Sequence, residues 1–412
     1  MSAQVLVLGA GIVGTCTALH LAMRGHRVVL VDRREPGRET SYGNAGIIQR
    51  EAVEPYAFPQ DWSVLANVAL KRGAAVHYHL RALPAIAHGL RMYWSHSRPR
   101  THAAISALYA RLIEHSTSEH APLIARAGAE DLVRRDGYHA VFRSDASFER
   151  AAARAHSLAS TFGIRLQLLD GATLRRAEPG LRADAGLAGA VHWLDPWTVS
   201  DPGELVARYA ALLAREGGEF ARGDANTLRP CGSGWSVRTG SGTVEAEHAV
   251  LALGPWSDAL VRTLGYRFPL FVKRGYHSHY RGSGPRLPML DADAGLVLAP
   301  MAQGVRLTTG AEFALLDAPA TPVQVDRAKQ LANELFELGD AADRPWMGAR
   351  PCTGDMLPLI GPAPRHRGLW FNFGHAHQGF TMGPVSGRLL AEMLDGTPTV
   401  VDPKPYAPAR FG

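Results

Sequence analysis

The stretch Val5-Leu6-Val7-Leu8-Gly9-Ala10-Gly11-Ile12-Val13-Gly14, followed by Val28-Val29-Leu30-Val31-Asp32, decides how this chain reads. Four consecutive apolar residues describe a strand buried on both faces, as in a parallel sheet. Gly9, Gly11 and Gly14 form a G-x-G-x-x-G turn. Ile12, Cys16, Leu19 and Met23 then recur at helical spacing, and Gly25 closes that helix. Val28–Val31 is a second apolar strand with Asp32 at its carboxyl end. Each part has a physical task in holding a dinucleotide. Gly9 permits a tight turn, Gly11 lets the backbone approach a pyrophosphate, and Gly14 lets the helix pack on the strand. Phosphates are drawn to the helix start, at Ile12 and Val13, by free N–H groups and the macrodipole. Asp32 can accept hydrogen bonds from ribose hydroxyls. The spacing predicts a Rossmann-like site for the ADP half of NAD or FAD.

Composition narrows the setting. A chain of 412 residues exceeds one ordinary core and predicts two domains. A hydrophobic content of 46% with 20% charged residues describes a globular protein. Of 44 basic residues only Lys71, Lys273, Lys329 and Lys404 are lysines, and the net charge is +6. The arginines are scattered, so no nucleic-acid arm is expected. The charge reads as a solvated surface, with a weaker pull on anionic substrates or an anionic membrane face. Cys16, Cys231 and Cys352 are far apart and odd in number, which fits a reducing compartment and excludes a Cys-x-x-Cys zinc cluster. The first strand starts too early for a signal peptide, and no apolar run approaches the ~20 residues of a spanning helix. The expected location is cytoplasmic, at most peripheral on the inner membrane.

Further along, Glu39-Thr40-Ser41-Tyr42-Gly43-Asn44-Ala45-Gly46-Ile47-Ile48 suits a backbone pressed against a ligand. Residues 51 to about 100 show no clean period. From Thr101 an amphipathic pattern predicts a helix running toward Arg126. A strand at Gly137–Phe142 and a helix at Ser147–Phe162 follow. Asp201-Pro202-Gly203-Glu204 has the N-cap, first-turn proline and acid that open a helix. Trp235–Thr239 and Val244–Ala246 read as a hairpin, and Ala249–Leu253 as another apolar strand, ending in a turn at Gly254-Pro255-Trp256. Strands are expected at Leu296–Pro300 and Val305–Thr309, and a helix after Thr321-Pro322 carrying Val325, Ala328, Leu331, Leu335 and Leu338. Near the end, strand Leu369–Phe373 enters Gly374-His375-Ala376-His377-Gln378-Gly379-Phe380-Thr381, and Pro384 is expected to start a helix. That helix start favours an electron-accepting ring that gathers negative charge on reduction, which a flavin does and a nicotinamide does not.

The order of E-T-S-x-x-N-A-G (39–46), A-L-G-P-W (252–256), G-x-R-P (348–351), D-x-x-P-L-I-G (355–361) and G-H-x-x-x-G-F-T (374–381) behind the opening turn resembles the FAD-dependent D-amino-acid oxidase superfamily, above all bacterial D-amino-acid dehydrogenases. The resemblance spans almost the whole chain. It implies an α/β fold: a Rossmann-like FAD-binding domain (1–55, 190–265 and 345–412) interleaved with an α+β substrate domain on a mixed or antiparallel sheet (56–189 and 266–344). It implies non-covalent FAD, since Cys352 is out of register with the cysteine that sarcosine-oxidase relatives use for attachment. Arg33, Ser41, Asn44, Ala45, Gly46, Ile47, Ile48, Ala225, Ala252, Gly254, Trp256, Gly374, Ala376, Gln378, Gly379, Phe380 and Thr381 would join the opening residues around the cofactor, with Thr381 near the flavin C2=O edge. Arg350 would clamp a substrate carboxylate through a bidentate guanidinium. His377 would stand beside the substrate amine, and Tyr276 would be a pocket wall or second carboxylate contact. The turn Thr353-Gly354-Asp355-Met356-Leu357-Pro358 departs from the T-P-D-G-x-P of many relatives.

The function this implies is oxidative deamination of an amino acid, with D-amino acids favoured. Hydride would leave Cα for flavin N5 across ~3–3.5 Å, the imine would hydrolyse, and electrons would pass to a quinone or oxygen. A secondary amine acid (hydroxyproline, sarcosine or an opine) is the nearest alternative, and an FAD-carrying subunit that passes electrons to a partner chain is another. His77/His79, His277/His279 and His375/His377 share i, i+2 spacing, but without converging carboxylates no metal site is expected.

Overall fold

Strands Glu219–Cys231, Arg27–Asp32, Gln4–Leu8, His248–Leu251 and Leu369–Phe373 lie side by side and parallel in the computed structural model, which describes residues 2–61, 65, 68, 69 and 75–412. The interior residues of the last four of these strands are mostly buried, which is why Val5–Leu8, Val28–Val31 and Ala249–Leu251 carry no polar alternation. Antiparallel strands extend both edges: Gly234–Thr239 and Gly242–Ala246 beyond the long strand, Leu359–Pro362 beside Leu369–Phe373. Helix Ile12–Ala22 covers one face and packs on helices Gly379–Asp395 and Pro202–Arg215. Asp201 caps the latter, its carboxylate accepting from the Glu204 N–H at 3.0 Å.

The second sheet is mostly antiparallel. Its order runs Val76–Tyr78, Ala311–Phe313, Leu270–Tyr280, Gly304–Thr308, Leu296–Met301, Met289–Asp291, Tyr138–Phe142, Gly189–Trp193 and Leu166–Asp170, and Trp346–Thr353 also pairs with Leu270–Tyr280. The α/β architecture with a separate mixed sheet is the fold expected from sequence.

Several boundaries differ. Trp346–Thr353 and Gly189–Trp193 belong to the second sheet, although 345–412 and 190–265 were assigned to the dinucleotide unit. Helices Pro99–Ile113 and Ser116–Ala127 replace the single expected helix. They pack on the 379–395 helix and, through Ser116–Ala127, on the 202–215 helix, on the dinucleotide side, despite falling in the 56–189 block. Their buried residues, including Ile105, Leu112, Leu123 and Ile124, are hydrophobic without naming the partner they face. Strand Glu219–Cys231 escapes sequence reading because its exposed edge is polar. The helix after Pro322 ends at Asn333, and Leu335 and Leu338 are buried beyond its end. Part of the patternless stretch after residue 51 lies outside the described residues.

Pro384 does not start the last helix but lies inside it, after Gly379. Proline removes the N–H that the Phe380 carbonyl would receive. The buried His120 supplies it instead, its Nε2 lying 2.9 Å from that carbonyl while Nδ1 meets the Tyr209 hydroxyl at 3.0 Å. Burial pushes the His120 pKa down to about 4, so the ring is neutral and the nitrogen facing the carbonyl is its donor.

Candidate active site

The carboxyl ends of the parallel strands open into a cavity of about 700 Å³ that continues between the two sheets. Gly9 follows the first strand, Asp32 ends the second, Ala252–Trp256 follow the third and Gly374 the fourth, and all line it. This is where an open α/β sheet binds ligands, because helix starts and loop N–H groups converge there.

At its dinucleotide end the turn is sterically closed to larger residues. Gly9 has φ +110°, and a Cβ on Gly14 would meet the Gly9 carbonyl oxygen at 1.8 Å. Asp32 Oδ2 accepts from Ala10 N–H at 2.7 Å, which fixes the carboxylate across the turn. Ser41 accepts from the Ile12 N–H at 2.9 Å, so that donor is taken. The Gly11 and Val13 N–H groups border the cavity, find no acceptor among the described residues and remain for a phosphate. Arg33 lies over the Trp256 ring at 4.4 Å and pairs with Glu39. Ala225, Ala252, Gly254, Asn44, Ala45, Ile47, Ala376, Gly379 and Phe380 border the same cavity.

Gly14, Gly46, Ile48, Gln378 and Thr381 do not line it. Thr381 donates to Gln378 Oε1 at 2.6 Å and accepts from Gln49 N–H, while Gln378 reaches Gln49 Oε1 at 2.7 Å. Gln49 in turn donates to Glu51, which also receives the Tyr138 hydroxyl. These side chains brace the 374–381 loop, and the Thr381 hydroxyl is engaged in this brace. Burial pushes the Glu51 carboxyl up to about 7.

At the other end Arg350 comes from strand Trp346–Thr353, directly opposite Lys273 on Leu270–Tyr280. Residues opposite one another on an antiparallel pair share a face. The Arg350 guanidinium lies over Gly275, where a Cβ would meet its nitrogens at 2.7 Å, and donates to the Gly310 carbonyl at 3.1 Å. Lys273 is buried, donates to the Tyr93 hydroxyl at 2.8 Å and sits 4.0 Å from that ring's centroid. Among the described residues neither cation has a carboxylate partner. His377 packs against Tyr56 at 4.9 Å, and burial together with Arg350 and Lys273 holds its pKa well below the usual range. It is a neutral imidazole and a poor base at physiological pH. His375 is buried and pushed down to about 3.

Tyr276 borders the cavity, the place expected of a pocket wall, and its hydroxyl is held by protein partners. Its hydroxyl donates to Glu312 at 2.7 Å and accepts from Thr321 N–H at 2.9 Å. Glu312 is neutralised by Arg274 at 2.6 Å. Carboxylates do converge on two histidine pairs, Glu312 on His77/His79 and Asp343 on His277/His279. Arg274 already neutralises the first, and Arg306 donates to His279 Nε2 at 3.0 Å in the second.

A family model described as FAD dependent oxidoreductase matches residues 4–393. The chain belongs to this family. It is 35% identical to a D-amino acid dehydrogenase of Paramagnetospirillum magneticum over 97% of this chain and 96% of the relative. It is 30% identical to a D-amino-acid oxidase of Bradyrhizobium diazoefficiens over 99% of both. Glycine oxidase from Geobacillus kaustophilus shares the fold with a TM-score of 0.72 at 24% identity over 98% of both chains. L-proline dehydrogenase from P. horikoshii does so with 0.73 at 16%, over 100% of this chain and 98% of the other.

FAD is therefore the cofactor of this oxidoreductase, and the cavity suits it. The turn leaves two phosphate donors, Asp32 lines the cavity at the end of the second strand, and the volume lies within the usual range for ligand sites. Sequence reading quoted Lys273 without a role and passed over Tyr56, Tyr93, Gln49 and Glu51. The one available signal was that lysine is rare in this chain.

Proposed function

We propose that this FAD-dependent amino-acid oxidoreductase dehydrogenates D-amino acids, with the substrate α-carboxylate on Arg350. The observation that carries the reading is a guanidinium held over Gly275 at the cavity wall with no carboxylate partner among the described residues. An arginine so placed offers a carboxylate two parallel charge-assisted hydrogen bonds. The names of the 30–35% identical relatives support D-amino acids as the substrate class.

The chain's residues then set up the reaction by binding and orientation. Arg350 anchors one end of the substrate, and the loop at 374–377 faces its amine. Lys273 and Arg350 make the local field positive, which lowers the pKa of a bound ammonium and favours the neutral amine. His377, itself held neutral, shapes the amine side without taking the proton. Bound FAD supplies the two-electron acceptance. Cys352 is buried with its thiol pKa raised, which makes it a poor nucleophile, and we propose that FAD is held without a covalent bond. Electrons then pass to a quinone or to oxygen.

The test is anaerobic bleaching of the bound flavin by a panel of D-, L- and N-substituted amino acids. Bleaching by D-amino acids supports the reading. Bleaching by cyclic or N-substituted acids alone, or only after a partner protein is added, overturns it.

A further inference from the structure

Beside the main cavity lies a small hollow of about 20 Å³, walled by Tyr56, Tyr93, Tyr109, Lys273, Cys352 and His377 among others. Tyr56, Tyr93, Lys273, Ala376 and His377 border both spaces, so the hollow is a side branch of the cavity. Its volume is enough for one small polar group. Lys273 is 6% exposed and has no carboxylate partner among the described residues. Its ammonium carries three donors, and the hydrogen bond it makes goes to the neutral Tyr93 hydroxyl. That hydroxyl donates its own hydrogen bond to the Tyr56 carbonyl at 2.6 Å and stays neutral, so it brings no negative charge to the ammonium. The Tyr109 phenol, buried on helix Pro99–Ile113, stands at the same hollow. A buried ammonium without a counter-ion is expensive, and it persists where a ligand brings the anion.

We infer that the Lys273 hollow receives a second, side-chain carboxylate, and that the preferred substrates are short dicarboxylic D-amino acids. The inference rests on the placement of the α-carboxylate at Arg350. Lys273 and Arg350 face each other across two antiparallel strands and share a face. Their heads diverge, Arg350 toward Gly275 and Gly310, Lys273 toward Tyr93. Two cations side by side with separate anchors suit two carboxylates joined by a short link of two or three carbons. A single α-carboxylate would leave one of them uncompensated.

Two measurements on the holoenzyme separate this inference from the reading it rests on. The first needs no turnover: oxidised flavin absorbance is titrated with succinate and glutarate, and with butyrate and valerate as one-carboxylate controls. The expected result is at least about tenfold tighter binding of the dicarboxylates, the scale of a charge-assisted hydrogen bond to a buried ion. Lys273→Met should abolish the difference, and Lys273→Arg should keep much of it. Equal affinities in the wild-type enzyme overturn the inference. The second compares anaerobic reduction by D-aspartate and D-glutamate with that by D-asparagine and D-glutamine, which differ in charge but hardly in size. A preference of about tenfold or more for the acids supports the inference, and equal or better use of the amides overturns it. Reduction by neutral D-amino acids alone refutes the Lys273 assignment and leaves the proposed function standing. Absence of reduction by every amino acid refutes the proposed function, while the succinate titration still decides the hollow. Should Lys273→Met fold poorly, the wild-type comparisons are sufficient.

Discussion

Single residues divide this site into two chemistries. Asp32 is tied to the Ala10 N–H at the glycine-turn end of the cavity, whereas Arg350 and Lys273 stand at the end where we propose the substrate binds. Asp32→Ala should weaken FAD binding, measured by fluorescence of released flavin on dilution, by roughly tenfold from the loss of charge-assisted bonds to ribose. Glu51 behaves differently, because it is buried and protonated more readily than in the unfolded chain. Its pKa of about 7, against an ordinary 4.5, means the folded state binds more protons than the unfolded state between those values. Stability from this group is therefore full below pH 4.5 and is lost as pH rises toward 7, by an amount on the order of 3 kcal/mol. Glu51→Gln should remove that slope, so the melting temperature of the wild type should fall relative to the variant between pH 4.5 and 7. Parallel curves for the two proteins would contradict the buried-acid account.

At the scale of elements, the strand–turn–helix units were legible because each is encoded locally. The apolar run at Val5–Leu8, the glycines after it and Asp201-Pro202 before its helix all name their own structure. What stayed hidden depends on contacts made across the chain. The last helix shows this well, since Pro384 reads as a first-turn residue until His120, distant in sequence, is seen to satisfy the Phe380 carbonyl. His120→Phe fills a similar volume but leaves that carbonyl unpaired. It should cost about 1–3 kcal/mol in denaturant unfolding, with FAD still bound. The partners of Tyr276 were hidden for the same kind of reason. Its sequence neighbours do not announce Glu312, the acid that occupies its hydroxyl.

The two large sheets of the molecule frame one main cavity, and that cavity was only half visible in the sequence. The dinucleotide end sits on consecutive residues and could be read directly. The end proposed for the substrate draws Arg350, Lys273, Tyr93 and His377 from separate segments, and only the register of Lys273 against Arg350 reveals that two cations adjoin. Among the described residues no helix is long and apolar enough to cross a membrane. Because the cavity bridges both sheets, FAD should stabilise the entire fold. At a free concentration a hundredfold above Kd the gain is about 2.7 kcal/mol, read as a rise in melting temperature of the flavin-depleted protein. FMN, which lacks the ADP half, should give a smaller rise; an equal rise would argue against a role for the Gly9–Asp32 turn. The central claim places the substrate carboxylate on Arg350, and anaerobic stopped-flow reduction of wild type and Arg350→Ala by one D-amino acid tests it most directly. The account predicts that the variant keeps its FAD while substrate affinity falls by about 2–5 kcal/mol, thirtyfold or more. An unchanged dissociation constant with normal flavin reduction would contradict it.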